Sequence, residues 1–259
     1  MSSSTTFGSR PDLSPDAEST ATRGWGMPAR IAALGVAGFL IASVIAGSLS
    51  TGYRPAREAI SALAATDAQH PVIMITGFVL GAIGLGAAAV GIWQRHRATL
   101  AGRVATVMIM LGAPGMVVAG FARQDCSERL PGCLDYDKAE LATTHFWVHQ
   151  YVSLALFVIM SIAMFVLARA LWRSATWRHL TGWSILAGLL CFGTIALLMV
   201  DPPAVAPYMG YLQRIFIVIL FGWPVLVAGL AGRNRVRAVA DHSTPTVPSA
   251  LRDYPRPQR

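Results

Sequence analysis

Six apolar runs, each long enough to cross a lipid bilayer, leave this chain very few possible folds. A helical span needs about 20 mostly apolar residues. Because the hydrocarbon layer holds no water, a backbone that crosses it satisfies its polar groups only in a helix or a closed barrel. The runs therefore predict six helices, near residues 31–50, 71–93, 102–121, 146–168, 180–200 and 215–231.

The predicted fold class is all-α: a polytopic integral membrane protein with a six-helix transmembrane bundle over residues 29–235. The flanking segments 1–28 and 236–259 contain few large apolar residues, so they cannot build a core of their own. We interpret both segments as disordered tails. No short apolar stretch follows a basic start near Met1, so no cleavable signal peptide is predicted and targeting falls to the first span.

The composition supports a membrane protein and argues against a nucleic-acid-binding protein. Apolar residues make up 54% of the chain and charged residues 13%, whereas a soluble domain carries about 25% charge. A net charge of +8 would suggest nucleic-acid binding in a soluble protein. Here the basic residues flank the spans, where they set topology and contact anionic lipid headgroups. The expected partner is the lipid bilayer, and no nucleic-acid partner is expected.

The distribution of basic residues predicts the orientation, because loops rich in Lys and Arg stay in the cytoplasm. The two tails and the connections after the second and fourth spans hold 15 Lys and Arg residues, while the other three connections hold 6. Those three connections also hold eight of the thirteen acidic residues. We therefore predict a multi-pass protein of the plasma membrane with both termini in the cytoplasm.

The longest outer connection contains Cys126 and Cys133. Disulfides form and persist on the outer side of the membrane, and Pro131 and Gly132 supply a turn that brings the two sulfurs together. We expect a disulfide here, with two free thiols as the alternative. Cys191 lies inside the fifth span and is interpreted as a small core residue.

His145 and His149 lie four residues apart at the start of the fourth span, so a helix places them on one face. This spacing suits a divalent metal when a third ligand comes from elsewhere. The alternative is that both rings lie at the interface and bind water, loop carbonyls or lipid headgroups. The missing Glu after the first His excludes the H-E-x-x-H protease pattern. We expect no cofactor, with zinc as the alternative.

The first outer connection contains Pro55, which is placed to begin a short amphipathic helix. One interpretation puts Glu58 and Ser61 at the edge of a pocket between helices. The other is an ordinary amphipathic connector at the level of the headgroups. In either case we expect the apolar side of this helix to face the membrane; it comprises Ile60, Leu63 and Ala64.

Asp201 ends the fifth span and Arg214 begins the sixth. Ionisable groups near spans tend to pair and to mark sites. Our hypothesis is that Asp201 and Arg214 bind a ligand together with Glu58, Ser61 and His149. The alternative is an ion pair of Arg214 with Asp201 or Glu58, with the Arg side chain reaching to the interface.

A glycine-rich face in the second span predicts close contact with a neighbouring helix. Gly77 and Gly81 form a G-x-x-x-G pair, and Gly84 and Gly86 follow them. Residues without a side chain let two helix backbones approach within a membrane. We interpret this face as a packing feature.

Four segments carry a resemblance to a known family. They are Y-R-P-A-R-E-A-I-S-A-L-A at 53–64, the loop from Asp125-Cys126 to Gly132-Cys133, the His at the start of the fourth span, and G-Y-L-Q-R at 210–214. Over roughly residues 29–235 the chain resembles the bacterial "domain of unknown function 998" family of six-span membrane proteins. The resemblance implies a polytopic membrane fold and brings no established activity. Four of the hypothesised site residues fall on these segments: Glu58, Ser61, His149 and Arg214.

The function we expect is binding of a lipid or another envelope molecule in an outward-facing cleft. Polar residues cluster in the outer connections, while the spans carry no charge at mid-depth, and this argues against an ion pump or channel. One alternative is an intramembrane metal-dependent hydrolase of lipid amides or esters, using metal-bound water. A second is a small-molecule transporter, which the lack of internal repeats disfavours. An enzyme is the less expected outcome.

Overall fold

The computed structural model of the protein describes residues 25–126, Cys133 and 142–242, with side chains as far as Leu230. Within these residues the chain forms six long helices: α1 Met27–Leu49, α2 Pro71–His96, α3 Leu100–Phe121, α4 Thr144–Trp172, α5 Thr181–Val200 and α6 Met209–His242. Short 3₁₀ turns lie at Ile60–Ala64, Arg178–Leu180 and Ala206–Tyr208. The described ranges contain no β-strand.

All six helices in the described part of the chain are long and apolar enough to cross a membrane. Each predicted run coincides with one helix, so the all-α prediction and the six apolar spans are confirmed. The largest difference is in α6, which extends beyond 215–231 at both ends. Helical hydrogen bonding does not stop where the apolar residues stop, and hydropathy marks only the apolar part. The tails predicted over 1–28 and 236–259 lie mostly outside the described residues.

The helix starts carry the expected local signals. Pro28 and Pro71 lie in the first turns of α1 and α2, where a missing N–H costs nothing. The Thr99 hydroxyl caps α3 by accepting a 3.0 Å hydrogen bond from the backbone N–H of Gly102. Thr143 caps α4 in the same way. Residues that cap or open a helix thus separate the apolar runs.

The helices pack in chain order, and α6 returns to contact α1, α2 and α5. The core lies between them and is almost wholly apolar. Its largest fully buried side chains include Met74, Leu85, Ile109, Met160, Phe216 and Phe221. Large apolar side chains also cover the outside of the bundle, among them Leu34, Val44, Val107 and Leu189. Such a surface suits a lipid surrounding and not water.

The glycine face of α2 packs directly on α1. A methyl group added to Gly84 would lie 2.8 Å from the backbone nitrogen of Val36, and one added to Gly35 would lie 2.5 Å from the carbonyl oxygen of Leu80. Gly77 similarly faces Ala42. The two backbones are therefore in contact, as G-x-x-x-G spacing predicts. Gly86 is different because it faces Ala113 of α3 at an ordinary distance.

We predict that Gly84→Ala destabilises the bundle, because the new methyl group would push two backbones apart. Overpacking of this kind costs about 1–3 kcal/mol. Gly193→Ala in α5 is the matched control, since nothing lies within 4 Å of the added methyl group there; it should be neutral or stabilise by up to about 1 kcal/mol. Thermal unfolding of both variants in detergent measures the difference, and equal melting temperatures would contradict the prediction.

Candidate ligand-binding site

Three connections meet at one end of the bundle, and we call them the cap: residues 50–70, 122–126 and 201–208. The backbone N–H of Thr66 donates to the carbonyl of Gln124 at 2.9 Å, and the Thr66 hydroxyl donates to the carbonyl of Asp125. The first and second connections of the cap are thus joined directly, although 58 or more residues separate them in the chain.

Arg123 and Asp125 extend this junction. The guanidinium of Arg123 donates to the carbonyls of Ala64 and Ala65 at 2.8 and 2.6 Å. The Asp125 carboxylate accepts a 2.7 Å hydrogen bond from the backbone N–H of Thr143, the N-cap of α4. A carboxylate is favourable at a helix N-terminus because the free N–H groups carry partial positive charge. The cap is therefore attached to the start of α4.

The 3₁₀ turn Ile60–Ala64 enters the bundle and does not lie on the membrane surface. Ile60 and Leu63 are each 3% exposed and belong to the main hydrophobic core, as does Ala64. The prediction that these side chains face the membrane was wrong, and so was a helix beginning at Pro55. The amphipathic pattern of the segment does not determine which way its apolar side points, because an apolar face can pack on protein as readily as on lipid.

Arg214 fixes the first connection to α6. Its guanidinium donates to the carbonyls of Pro55 and Glu58 at 2.8 and 3.1 Å, and to that of Gly210 at 2.7 Å. It also donates to the hydroxyl of Tyr53, which in turn donates to a backbone carbonyl. The hydrogen bonds of Arg214 go to backbone carbonyls and to a hydroxyl, and a planar guanidinium can serve several such acceptors at once.

The residues just before Arg214 complete the attachment. The backbone N–H of Gly210 donates to the carbonyl of Ala56 at 2.8 Å, and a methyl group on Gly210 would lie 2.6 Å from the carbonyl oxygen of Glu58. The amide oxygen of Gln213 accepts a 2.8 Å hydrogen bond from the backbone N–H of Ile60. A larger residue than Gly210 would therefore collide with the backbone of the first connection. Gln213 satisfies a backbone donor at the start of the 3₁₀ turn.

Glu58 and Asp201 line a polar cleft of about 500 Å³ on the cap, together with Arg54 and Arg57. Glu58 is 4% exposed, and its carboxylate accepts a 2.6 Å hydrogen bond from the backbone N–H of Arg54. Asp201 is exposed and ends α5 in the left-handed region, with φ of 44°. Asp tolerates this backbone conformation better than most residues, so its helix-ending role is sufficient to explain its position.

Ser61 and His149 line a second space, an apolar cavity of about 250 Å³ that lies between the helices beneath the 3₁₀ turn. Its walls are mainly apolar, with Phe39, Phe78, Met116, Leu156, Phe157 and Phe221 among them. Its other polar side chains are uncharged: Gln124, Gln150, Ser153 and Gln213. Two lining residues, Gln150 and Met199, are exposed, so the cavity opens between the start of α4 and the end of α5.

His149 is 3% exposed, and the protein fixes its ring. Nδ1 lies 2.8 Å from the carbonyl oxygen of Ala119 and 2.9 Å from that of Ala122, at the end of α3. Carbonyl oxygens only accept hydrogen bonds, so Nδ1 carries the proton, and Nε2 is the acceptor of the neutral ring. Within the described residues Nε2 has no hydrogen-bond partner. The ring therefore offers one free acceptor beside the apolar cavity.

His145 occupies a different environment from His149, since its side chain is exposed. Among the residues that the structure describes, no three His, Cys, Asp or Glu side chains come together as metal ligands. With Nδ1 of His149 engaged by carbonyls, the two-His metal hypothesis gains no support from this geometry. Cys126 and Cys133 form a disulfide with 6.0 Å between their Cα atoms, and Cys191 is a buried free thiol.

The sequence hypothesis of a single site thus divides into three parts. Ser61 and His149 line the apolar cavity, Glu58 and Asp201 line the polar cleft, and Arg214 holds the segment between the two. The cavity and the cleft adjoin, because Ala59, Leu198 and Gln213 line both. Sequence reasoning missed several polar residues: Tyr53, Arg123, Gln124, Gln150, Ser153 and Gln213. Two of the family-like segments gave a signal: Y-R-P-A-R-E-A-I-S-A-L-A begins with Tyr53, and G-Y-L-Q-R contains Gln213.

We predict that Arg214→Ala loosens the first connection of the cap. The substitution removes the hydrogen bonds that Arg214 donates to three backbone carbonyls and to the Tyr53 hydroxyl, and a hydrogen bond to a charged group contributes about 1.5–3 kcal/mol. Amide hydrogen exchange over residues 53–60 should accelerate at least about tenfold. Arg57→Ala is the matched control, because that exposed side chain lies on the same connection. Equal exchange in both variants would contradict this role.

Comparison with known proteins identifies the family of the chain. Residues 33–230 match the family described as "Protein of unknown function (DUF998)". The matched range contains the cap, the apolar cavity and the polar cleft. No curated protein and no solved structure matches the chain. The chain belongs to the DUF998 family of proteins of unknown function, as its sequence resemblance indicated.

Proposed function

We propose that the protein binds part of an amphipathic lipid, or of a lipid-like envelope molecule, in the apolar cavity beneath the cap. The observation that carries the proposal is the lining of this cavity, which combines apolar walls with a few uncharged polar groups. Small-molecule pockets typically have this composition. A volume of about 250 Å³ accommodates a segment of a lipid, and the remainder would lie along the bundle at the opening between α4 and α5.

The polar lining favours a neutral hydrogen-bonding group in the bound segment. Burial of a charge without a partner costs far more than burial of a hydroxyl or an amide, and the polar side chains of the cavity are Ser, Gln and His. With Nδ1 of His149 bound to two carbonyls, its Nε2 is available to accept a hydrogen bond from a ligand. A hydroxyl or amide N–H of the ligand would be its donor, with Ser61 and Ser153 nearby in the lining.

The adjoining polar cleft suits the charged portion of such a molecule. It contains charged side chains of both signs, Arg54 and Arg57 with Glu58 and Asp201. A zwitterionic or anionic headgroup placed there finds complementary charge, while its linkage and chain enter the cavity next to Ala59. In the orientation we propose, with both termini in the cytoplasm, the cap faces outward, so the ligand comes from the outer leaflet or the envelope.

We predict that Ser153→Leu, which fills the cavity from α4, lowers the amount of co-purified lipid at least about tenfold. A tenfold change corresponds to about 1.4 kcal/mol of binding free energy. Gln150→Leu at the exposed opening should weaken binding less. Thr76→Leu is the matched control, since it makes the same kind of change at an exposed position of α2 outside the cavity lining. Native mass spectrometry of the detergent-solubilised protein measures bound lipid.

Unchanged lipid content in a Ser153→Leu variant whose thermal unfolding matches that of the unaltered protein would contradict the lipid-binding proposal. Release of a fatty acid from a lipid added to the purified protein, together with bound zinc, would indicate instead that the protein is the hydrolase of the alternative.

We predict the orientation from the excess of Lys and Arg in the tails and in the two connections on their side of the membrane. A green fluorescent protein fused after Arg259 should fluoresce in the cytoplasm. An alkaline phosphatase fused after Gln69, within the cap, should be active outside. The reverse pattern would place the cap in the cytoplasm and remove the outer leaflet as the source of the ligand.

A further inference from the structure

The end of the bundle opposite the cap contains a separate basic cavity of about 250 Å³. The connections 97–99 and 173–180 form its rim. The side chains that matter for its chemistry are Arg95, His96, Thr99, Arg173, Ser174 and Thr176. We propose that this basic cavity binds the phosphate group of an anionic lipid headgroup.

The first argument is uncompensated charge. Neither the Arg95 nor the Arg173 side chain has a hydrogen bond or an ion pair within the described residues, and segments 95–103 and 169–180 contain no Asp or Glu. Two other arginines at this end are engaged: Arg103 donates to a backbone carbonyl at 2.8 Å, and Arg178 lies 3.9 Å over the ring of Trp172. Arg97 and Arg169 do not line the cavity. Two guanidinium groups facing one cavity without an acid indicate an anion from outside the bundle.

The second argument is an unsatisfied nitrogen in the cavity wall. His96 is 6% exposed, and its Nε2 is buried without a hydrogen-bond partner among the described residues. Leaving a buried polar atom unpaired costs about 1–3 kcal/mol. His96 also lines the cavity, so a phosphate oxygen that reaches a protonated Nε2 would accept its hydrogen bond and remove this cost.

The third argument concerns the kind of anion. Guanidinium groups bind phosphate with paired hydrogen bonds, and the hydroxyls of Ser174 and Thr176 provide further donors at the rim. Trp93 and Trp172 are exposed and lie within two residues of Arg95 and Arg173 in the chain, as is typical of the layer where spans meet lipid headgroups. This position makes a lipid phosphate available to the site continuously, whereas a soluble phosphate must arrive from the water.

The test uses the full chain in phosphatidylcholine nanodiscs with and without phosphatidylglycerol. Each basic residue near an anionic lipid surface contributes about fivefold to affinity, so the double variant Arg95→Gln/Arg173→Gln should bind phosphatidylglycerol about 30-fold more weakly. His96→Phe keeps the bulk of the ring and removes Nε2, and it should also weaken binding. All three substituted positions are outside the apolar cavity, so failure here leaves the proposed function untouched.

The matched control is the double variant Arg97→Gln/Arg169→Gln, which removes the same charge from exposed positions at the same end, outside the cavity lining. Retained phosphatidylglycerol binding in this control, with loss in the cavity variant, would support the site. Equal loss in both variants would overturn it, because general surface charge would then explain the binding. Stabilisation of the protein by inorganic phosphate alone, lost in the cavity variant, would support the phosphate site with a soluble ligand as its source.

Discussion

The structure depends on one constraint: backbone that leaves helical geometry inside an apolar bundle needs hydrogen-bond partners other than water. The first connection of the cap enters the bundle at Ile60–Ala64 and breaks the helical pattern there. Its carbonyls are bound by Arg214 on one side and by Arg123 on the other, and a donor at its start is bound by Gln213. His149 serves the end of α3 in the same way. The cap lies over the cavity because side chains of α4 and α6, together with Arg123 of the cap itself, satisfy its backbone.

This constraint also explains which parts of the structure the sequence predicted. Hydropathy located the spans, and the spacing of Gly77, Gly81 and Gly84 located a contact between helices, since both depend on local pattern. The sequence suggested that the outer polar residues bind a ligand together or, as the alternative, that Arg214 pairs with an acid. In the structure Arg214 binds backbone carbonyls, which every residue possesses, so no residue type in the sequence marks such a partner. The inward direction of Ile60 was equally hidden, because protein and lipid are similar neighbours for an apolar side chain.

Helix α4 contributes to two chemically different cavities, one near each end of the bundle. The start of α4 contributes Gln150 and Ser153 to the apolar cavity, whose polar groups are uncharged. The end of α4 contributes Ala170 to the basic cavity, beside Arg173. A helix of 29 residues is about 43 Å long, so the two spaces lie near opposite ends of the bundle. They are separate in space and distinct in chemistry, and either can be altered without changing the other.

The attachment of the cap to α6 has a consequence for biosynthesis. Arg214 follows Pro55 by 159 residues, and Gln213 follows Ile60 by 153. When the first connection leaves the ribosome, the residues that bind its backbone have not been made, and four further helices must be inserted first. During that interval segment 53–60 depends on water or on the insertion machinery for hydrogen bonds. The nascent chain therefore cannot complete its cap before the start of α6 has been made, and a chain that stops before α6 lacks the Arg214 and Gln213 contacts to this segment.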